Sequence, residues 1–533
     1  MRRKETKIAQ RIILSLIASM VTMTLSAQAS SKRPSLVVGI MIDGLNQEYI
    51  SQLRNLFGND GFNRILKDAV ILQNVDYGTS LDNAAATAVI YSGASPSING
   101  IPAYEVFDSE KSKSHPILLD PSKIGNYTSE TYSPTAILVS TLSDEIRIDG
   151  DGLNQVHSIS PDAIQSIIMA GHAANSAFWI NDVTGKWATT THYKDVPNVI
   201  SNRNHQSPLS TRLDAISWEP TLNIQSYPDV PEHRRTYPFR YTFPKSERDR
   251  YRMYKQSACV NEEVTSVASA YISTLSLGSH KGMIDMLNIS YTLTPYQYSR
   301  TPDSRVETMD AYIKLDNNLA QLFATIDRTV GMDNTLVFIA GTPARTRSRR
   351  DDERWHIPYG EFSTRRAISL LNMYLMAKHG NGEWVSGIHN NNLYLNQKLI
   401  KDKSIDITSL RQDAAQFLMR MSGIASAYTI DDIIAARVGE NPNALKRNTN
   451  IKYAGDIVLT ITPGWSVTDN EDKANNNIVT RVASPSAPTY ILAPSVASQT
   501  ISSPIDARAI APTIARLLRI RSPNSAATTP LQF

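Results

Sequence analysis

The fold is decided by one early run of residues, Leu36-Val37-Val38-Gly39-Ile40-Met41-Ile42, which ends at Asp43. An unbroken run of apolar and small residues predicts a strand buried on both faces, as in a parallel sheet. Asp43 then stands at the carboxyl end of that strand. Open α/β sheets place their sites along this edge, so Asp43 is the first candidate site residue.

Further strands and helices alternate along the chain after this run. Short apolar runs predict strands at residues 69–75, 175–180, 286–291, 335–340, 457–462 and 490–492. Helices are predicted at residues 61–67, from Ser160-Pro161 toward Ala170, across residues 309–326 and at residues 507–520. This alternation predicts an α/β fold with a mostly parallel central sheet covered by helices on both faces.

Two stretches interrupt the alternation. Residues 185–280 are rich in Pro, Tyr, Arg and Asn, and residues 345–450 mix basic, acidic and amphipathic pieces. We interpret both as insertions that cap the carboxyl edge of the sheet. The core would then comprise about residues 34–184, 281–344 and 451–533.

The first 29 residues are typical of a secretory signal peptide. A basic segment precedes the mostly apolar residues 12–25, and Ala27-Gln28-Ala29 is a small-residue cleavage site. The alternative is an uncleaved membrane anchor, but the apolar run is short for a span. We therefore expect a periplasmic or otherwise exported chain, residues 30–533, with no stable membrane span after cleavage.

Charge and cysteine content exclude some classes of function. The leader carries five basic residues and one acid, so the net charge of +4 for the whole chain falls to zero for the mature chain. Overall charge therefore gives no argument for nucleic acid as a partner. Cys259 is the only cysteine, which excludes an intramolecular disulfide and a cysteine-based metal site.

Several segments, in one order along nearly the whole mature chain, resemble the phosphate-irrepressible alkaline phosphatases of Bacteroidetes and related bacteria. Their superfamily includes nucleotide pyrophosphatases and phosphodiesterases. The segments are residues 36–49, Gly61-Phe62, Ile90-Tyr91-Ser92-Gly93, residues 96–101, residues 171–179, Trp384-Val385, residues 393–396, Ala427-Tyr428-Thr429, residues 455–458, Pro463-Gly464-Trp465 and residues 510–515. The resemblance implies an alkaline-phosphatase-like, three-layer α/β fold with a mostly parallel central sheet and two capping insertions.

The resemblance also implies a chemistry, and this chain lacks most of the residues for it. Active relatives use two zinc ions held by Asp and His, a Thr nucleophile, and Asn, Lys and Arg side chains on the phosphate. Asp43 is the only matching ligand, and Asn83 stands at the nucleophile position. The other ligand positions hold Pro295, Ser299, Gly341, Thr342 and Ser486, and the phosphate-binding positions hold Tyr104, Asp162 and Ile164.

The distribution of histidine supports this alignment without depending on it. No histidine follows His389, and none lies between His280 and His356. Shifting the register therefore cannot supply the missing imidazole ligands. We expect no cofactor, no metal ligand set and no catalytic residue at the family positions.

Other residues offer alternatives. Thr79, Ser80 and Thr87 are candidate displaced nucleophiles, although no activating base lies near them in sequence. Arg300, Arg345 and Arg347 are candidate anion-binding residues, since they follow the lost ligand positions. Arg349 and Arg350 extend this basic loop, and acidic residues 351–353 balance it, so a solvated loop is the alternative reading.

These observations favour an exported, catalytically inactive alkaline phosphatase homologue that acts as a binding or scaffold protein. The competing reading is a metal-dependent phosphatase or phosphodiesterase with an unrecognised, rearranged site, and a third is an anion or nucleotide sensor. The expected partner is an envelope protein or an anionic ligand. Tyr104, Tyr296 and Tyr298 either recognise that partner or fill the emptied pocket.

Overall fold

The computed structural model describes residues 33–299, 303–343, 356, 358–462, 464–468, 486–494 and 496–533. The predicted signal peptide and the arginines Arg300, Arg345 and Arg347 lie outside these residues. Across the described ranges, no helix combines the length and the apolar character that a membrane crossing requires.

The strands follow the sequence prediction closely, and short strands are added between them. In chain order they are β1 (Leu36–Asp43), β2 (Val70–Asp76), β3 (Glu105–Asp108), β4 (Lys113–Pro116), β5 (Gly125–Asn126), β6 (Val156–Ser160), β7 (Ser176–Ile180), β8 (Trp187–Thr190), β9 (Ser217–Trp218), β10 (Tyr241–Thr242), β11 (Asp285–Thr292), β12 (Thr335–Gly341), β13 (Gly360–Ser363), β14 (Val385–His389), β15 (Asn392–Leu395), β16 (Ile424–Thr429), β17 (Ile457–Ile461), β18 (Trp465–Thr468), β19 (Ser486–Leu492), β20 (Gln499–Ile501) and β21 (Ile505–Asp506).

A large central sheet organises the chain. Its order is β20-β2-β19-β12-β1-β11-β6-β7-β8-β5, with β21 paired beside β2. The strands around β1 are parallel: β1 pairs with β11 and β12, and β6 pairs with β11 and β7. β19 runs antiparallel to both of its neighbours, β12 and β2. The mostly parallel sheet predicted from the sequence is therefore confirmed.

Helices cover this sheet on both faces. The α-helices of the described residues are Gln47–Leu53, Phe62–Asp68, Asn83–Ser92, Pro96–Asn99, Leu142–Asp149, Ala163–Ala170, Asn198–His205, Leu209–Arg212, Glu232–Thr236, Arg250–Gln256, Cys259–Thr274, Arg305–Thr329, Thr364–His379, Gln397–Asp402, Ile407–Leu418, Ile430–Ile434, Pro442–Asn448 and Ile510–Leu518. Successive residues of a strand point to opposite faces. Accordingly, Val38 and Ile40 join one buried cluster with the helices Cys259–Thr274 and Arg305–Thr329. Val37 and Met41 join a second cluster with the helix Asn83–Ser92.

Three local assignments differ from the sequence prediction. The helix expected from Ser160 begins at Ala163, and its N-cap is Asp162, whose side chain accepts a hydrogen bond from the Gln165 amide. Ser160 instead ends β6, where its hydroxyl lies 2.6 Å from the Ser290 hydroxyl.

The other two differences concern the division between the core and the segments interpreted as insertions. β17, which the sequence analysis placed with the core strands, belongs to a separate four-stranded sheet of order β14-β15-β17-β16. β8 extends the central sheet, and the helix Cys259–Thr274 packs on β11 and on the helix Arg305–Thr329. Part of residues 185–280 thus belongs to the helical layer rather than to a cap over the sheet edge. The domain boundaries themselves stay a prediction.

Candidate functional site

The carboxyl ends of β1 and β12 meet beside the first turn of the helix Asn83–Ser92. β1 and β12 are parallel, with Ile42 opposite Gly341, so Asp43 and Thr342 follow at the same edge. Asp82 caps the helix by accepting a hydrogen bond from the Ala85 amide at 2.9 Å. This cap holds Asn83 at the first helical position. Three of the predicted positions, Asp43, Asn83 and Thr342, are therefore brought together.

The Thr342 hydroxyl joins these three side chains. Its oxygen lies 3.1 Å from Asn83 Oδ1 and 3.4 Å from Asp43 Oδ1, and it donates its one proton to either acceptor. The same oxygen accepts a hydrogen bond from the Gly44 amide at 3.1 Å. The space between the strand ends and the helix is thus closed by hydrogen bonds within the protein.

Asp43 is nearly buried, with 9% of its surface exposed. Gln165 Nε2 donates to Asp43 Oδ1 at 2.9 Å and lies 3.3 Å from the Thr87 hydroxyl. Burial raises the pKa of the Asp43 carboxyl from its ordinary value of 3.8 to about 7, with Asp162 adding to the rise and the Gln165 hydrogen bond opposing it. Burial and the nearby carboxylates of Asp162 and Asp82 therefore favour the protonated form of this carboxyl.

Of the three positions aligned with phosphate-binding residues of the resembling family, Tyr104 and Asp162 are bonded to each other, and Ile164 is apolar. The Tyr104 hydroxyl donates to Asp162 Oδ2 at 3.0 Å, and the Tyr104 amide donates to Asp82 Oδ2 at 2.6 Å. Ile164 is fully buried in the core. A carboxylate at the Asp162 position repels a phosphate dianion, whereas a lysine there would attract it.

The remaining predicted ligand positions lie apart from this group or carry other contacts. Ser299 accepts a hydrogen bond from the Tyr241 hydroxyl at 3.1 Å and lies 3.4 Å from Glu307 Oε1. Pro295 is half-buried in the segment after β11. Ser486 begins β19, opposite Asp76 of β2.

The tyrosines near this edge divide into two kinds. Tyr296 is 3% exposed, and its ring packs on Trp218 and Tyr241 with centroid distances of 5.2 and 4.7 Å. Tyr298 is half-buried beside it. Tyr104 is 36% exposed. Tyr296 therefore fills space in the core, while Tyr104 remains accessible from solvent.

Within the described ranges, the hydrogen bonds of the candidate displaced nucleophiles involve no carboxylate or imidazole. Thr87 is buried, and its hydroxyl donates to the Asn83 carbonyl at 2.6 Å, within the helix. Thr79 accepts a hydrogen bond from Asn448 at 2.7 Å. Ser80 is exposed. His172 lies 3.0 Å from Asp144, so its contacts are those of a structural residue.

Of the residues that the resemblance aligns with zinc ligands, only Asp43 has the donor type found in active relatives. Zinc in such sites takes imidazole nitrogen and carboxylate oxygen, whereas Gly341 and Thr342 stand at two positions that the resemblance aligns with ligands. The one family carboxylate, Asp43, already accepts a hydrogen bond from Gln165. Within the described ranges, no group of three or more His, Cys, Asp or Glu side chains is arranged to hold a metal ion.

Sequence reasoning missed two residues that shape the site. The role of Asp82 could have been predicted from the sequence, because an Asp directly before a helical run is a preferred N-cap. The role of Gln165 could not, since its contact with Asp43 joins residues far apart in the chain. The hypothesis of an anion-binding site concerns Arg300, Arg345 and Arg347, which lie outside the described residues.

Comparison with known proteins assigns the family. A family model described as type I phosphodiesterase / nucleotide pyrophosphatase matches residues 37–485. The match covers most of the chain, so the protein belongs to this family of phosphoric ester hydrolases. The resemblance seen in the sequence motifs is therefore confirmed.

The individual relatives are distant but nearly full-length. Alkaline phosphatase PafA of Elizabethkingia meningoseptica is 25% identical over 523 residues, which cover 94% of each chain. Alkaline phosphatase PhoV of Synechococcus elongatus is 25% identical over 465 residues, which cover 81% of each. A crystal structure of PafA superposes with a TM-score of 0.82, at 24% identity over 94% of this chain and 98% of that one. The last comparison confirms the alkaline phosphatase fold.

Proposed function

We propose that this protein is an exported member of the family that binds a partner or ligand and does not hydrolyse phosphate esters. One observation carries the proposal: Thr342 is hydrogen-bonded with Asn83 and Asp43 where a metal-bound nucleophile would be required. A carboxamide at position 83 cannot form a covalent phosphoryl intermediate. A threonine at position 342 supplies no imidazole.

The local charge supports the same proposal. Asp43, Asp82 and Asp162 lie near one another at the carboxyl edge of the sheet, and Asp82 and Asp162 each raise the pKa of Asp43. A phosphate dianion approaching this edge meets carboxylates in a partly desolvated setting, where like charges repel strongly. The described part of the site therefore disfavours the substrate that the family acts on.

The second candidate is a metal-dependent phosphatase or phosphodiesterase with a rearranged site. The comparisons favour it, because the nearly full-length relatives PafA and PhoV carry the name alkaline phosphatase. In that case the catalytic groups would lie away from the family positions. Thr79, Ser80 and Thr87 are the hydroxyl candidates.

Zinc content and hydrolysis, measured on the same purified mature protein, separate the two candidates. We expect well under one zinc per chain by elemental analysis, a melting temperature unchanged by chelators, and no turnover of p-nitrophenyl phosphate or its diester. Two tightly bound zinc ions per chain, or hydrolysis that is lost on changing Thr79, Ser80 or Thr87 to Ala, would establish the second candidate.

A single substitution provides a sharper control. Asn83→Thr restores the hydroxyl of the family nucleophile and leaves the other lost positions unchanged. We expect it to show no turnover, because an unactivated hydroxyl stays protonated and the oxyanion finds no stabilising donor. Turnover by this variant would mean that the remaining residues still hold a working site.

We also propose that the partner is an envelope protein or an anionic envelope ligand. The predicted signal peptide supports an envelope location, and the basic residues Arg300, Arg345 and Arg347 support an anionic ligand. Charge reversal at Arg300 and Arg345 together should abolish capture of partners from an envelope extract while leaving the melting temperature nearly unchanged. The same captured partners for wild type and double variant would refute this role of the arginines.

A further inference from the structure

A small polar cavity lies beside the loop that leads into the candidate site. Its volume is about 150 Å³, and its walls come from the end of β2, the helix Pro442–Asn448 and the chain around β21. None of its lining residues belongs to the group formed by Asp43, Asn83 and Thr342. The family match gives no role to these residues, so the kind of ligand that fits the cavity is inferred from its own side chains.

Two of the charged residues that line the cavity neutralise each other. Arg508 Nε lies 3.0 Å from Asp506 Oδ1, and Arg508 Nη2 lies 2.5 Å from Asp506 Oδ2. This bidentate arrangement fixes both side chains in one wall. The pair therefore contributes shape and polarity but little net charge.

The other two charged residues are not neutralised in this way. Asp76 Oδ1 accepts a hydrogen bond from the Gly78 amide at 2.8 Å, and Gly78 has a φ of +80°, so the turn places the carboxylate at the cavity. Half-buried Arg447 also lines the cavity. Neither Asp76 nor Arg447 has an ion-pair partner within 4 Å in the described part of the chain, and Arg447 acts only at longer range on Asp506, whose pKa it helps to lower beside Arg508. The cavity thus presents one carboxylate and one guanidinium to a ligand.

The rest of the wall limits the size and polarity of that ligand. Asn448 also lines the cavity, and its amide nitrogen already donates to the Tyr77 carbonyl and the Thr79 hydroxyl at 2.8 and 2.7 Å. Val89 and Pro504 supply an apolar part of the lining. A cavity of about 150 Å³ holds a molecule of roughly benzene size.

We propose that this cavity binds a small zwitterion of the α-amino acid class, with a short side chain. Arg447 receives the carboxylate, since a guanidinium matches that group with paired hydrogen bonds. Asp76 receives the ammonium group, and the apolar wall contacts the side chain. A plain anion such as phosphate gains Arg447 but faces Asp76, and a plain amine gains Asp76 but faces Arg447. Only a ligand with both charges satisfies both unpaired groups.

The test is titration calorimetry on the mature protein with glycine, alanine and serine in both enantiomers. Propionate, ethylamine and inorganic phosphate serve as probes that carry only one kind of charge. We expect saturable binding of at least one amino acid and at least about tenfold weaker binding of the single-charge probes. Absence of binding by every amino acid, or equal binding of propionate or phosphate, would overturn the proposal.

Two variants locate the binding, and one provides a matched control. Asp76→Asn keeps the oxygen that accepts from Gly78 and removes the charge, and Arg447→Gln keeps a polar side chain without a charge. Each should weaken amino-acid binding at least about tenfold, whereas Arg437→Gln, at an exposed position outside the lining, should not. Binding that is unchanged in both cavity variants would place the ligand elsewhere and refute the assignment. The outcome does not depend on whether the protein hydrolyses phosphate esters.

Discussion

At the scale of single residues, the raised pKa of Asp43 makes the stability of the fold depend on pH. Its folded-state pKa of about 7 lies above the ordinary 3.8, so the folded chain holds this proton more tightly than the unfolded chain. The resulting stabilisation is complete below about pH 4 and is lost as the pH rises through about 7. A shift of this size corresponds to at most about 4 kcal/mol.

We therefore expect Asp43→Asn to flatten the dependence of the unfolding free energy on pH between about 4 and 7. Its stability relative to wild type should increase toward the alkaline end, because the amide cannot ionise. Denaturant unfolding across this pH range provides the measurement, and exposed Asp60→Asn is the control. If the wild-type and Asp43→Asn profiles run parallel, Asp43 does not titrate as described.

Two tyrosines provide a second prediction at this scale. Tyr296 is 3% exposed and packs on Trp218 and Tyr241, whereas Tyr104 is 36% exposed. Tyr296→Ala should lower the unfolding free energy by about 3–5 kcal/mol, since it leaves a cavity among aromatic rings. Tyr104→Ala should lower it by roughly 1 kcal/mol, the value of a typical hydrogen bond. Equal effects in denaturant unfolding would contradict this division.

Some features of the candidate site could be predicted from the sequence and others could not. The apolar run before Asp43 and the position of Asn83 were predicted, because each depends on neighbours in the chain. The closure of the site by Thr342 and Gln165 was not, since both contacts cross between distant segments. The helix start at Ser160 was wrong because that hydroxyl bonds Ser290 on the neighbouring strand, which left Asp162 to cap the helix.

At the scale of elements, the helix Arg305–Thr329 anchors a long irregular segment through one buried carboxylate. Asp310 is fully buried and accepts hydrogen bonds from Trp218 Nε1, the Thr221 amide and the Tyr227 hydroxyl, each at 2.6 Å. These three donors come from a stretch with little secondary structure of its own. The carboxylate therefore holds residues 218–227 against the helical layer.

Removing this carboxylate should loosen that stretch. Asp310→Ala leaves three donors without their acceptor, and each buried unsatisfied group costs about 1–3 kcal/mol. We expect a large loss of stability and faster proteolysis near residues 218–227 by limited digestion. Asp327→Ala on the same helix removes a partly exposed pair with Arg64 and should cost less than about 1 kcal/mol. Comparable losses in both variants would show that Asp310 is not the anchor.

Element types were predictable where periodicity was strong, and element partners were not. The runs that became β1, β11 and β12 are apolar enough to identify as buried strands. The assignment of β17 to a second sheet depends on pairing with β15 and β16. No local pattern distinguishes it from a core strand, because pairing is decided by which distant segments meet.

At the scale of the whole molecule, the predicted leader determines which chain functions. Residues 1–29 carry the basic, apolar and small-residue segments of a signal peptide. We expect the native protein to begin near Ser30 and to be recovered outside the cytoplasm. Intact-mass spectrometry of protein purified from its natural compartment checks this, and a mass that includes the leader would contradict it.

The position of β1 has a consequence for how such a chain is made. β1 is the earliest strand, yet its two neighbours are β11 and β12, and β19 from the far end of the chain separates β12 from β2. A precursor emerging from the ribosome therefore has a central strand without either neighbour until residues 285–292 have been synthesised, and with only one neighbour until residues 335–341 follow. Sheets built from such distant pairings form slowly. For the exported chain that we propose, this delay would keep the precursor open for threading through a secretion channel, with the fold closing once its last strands have been delivered.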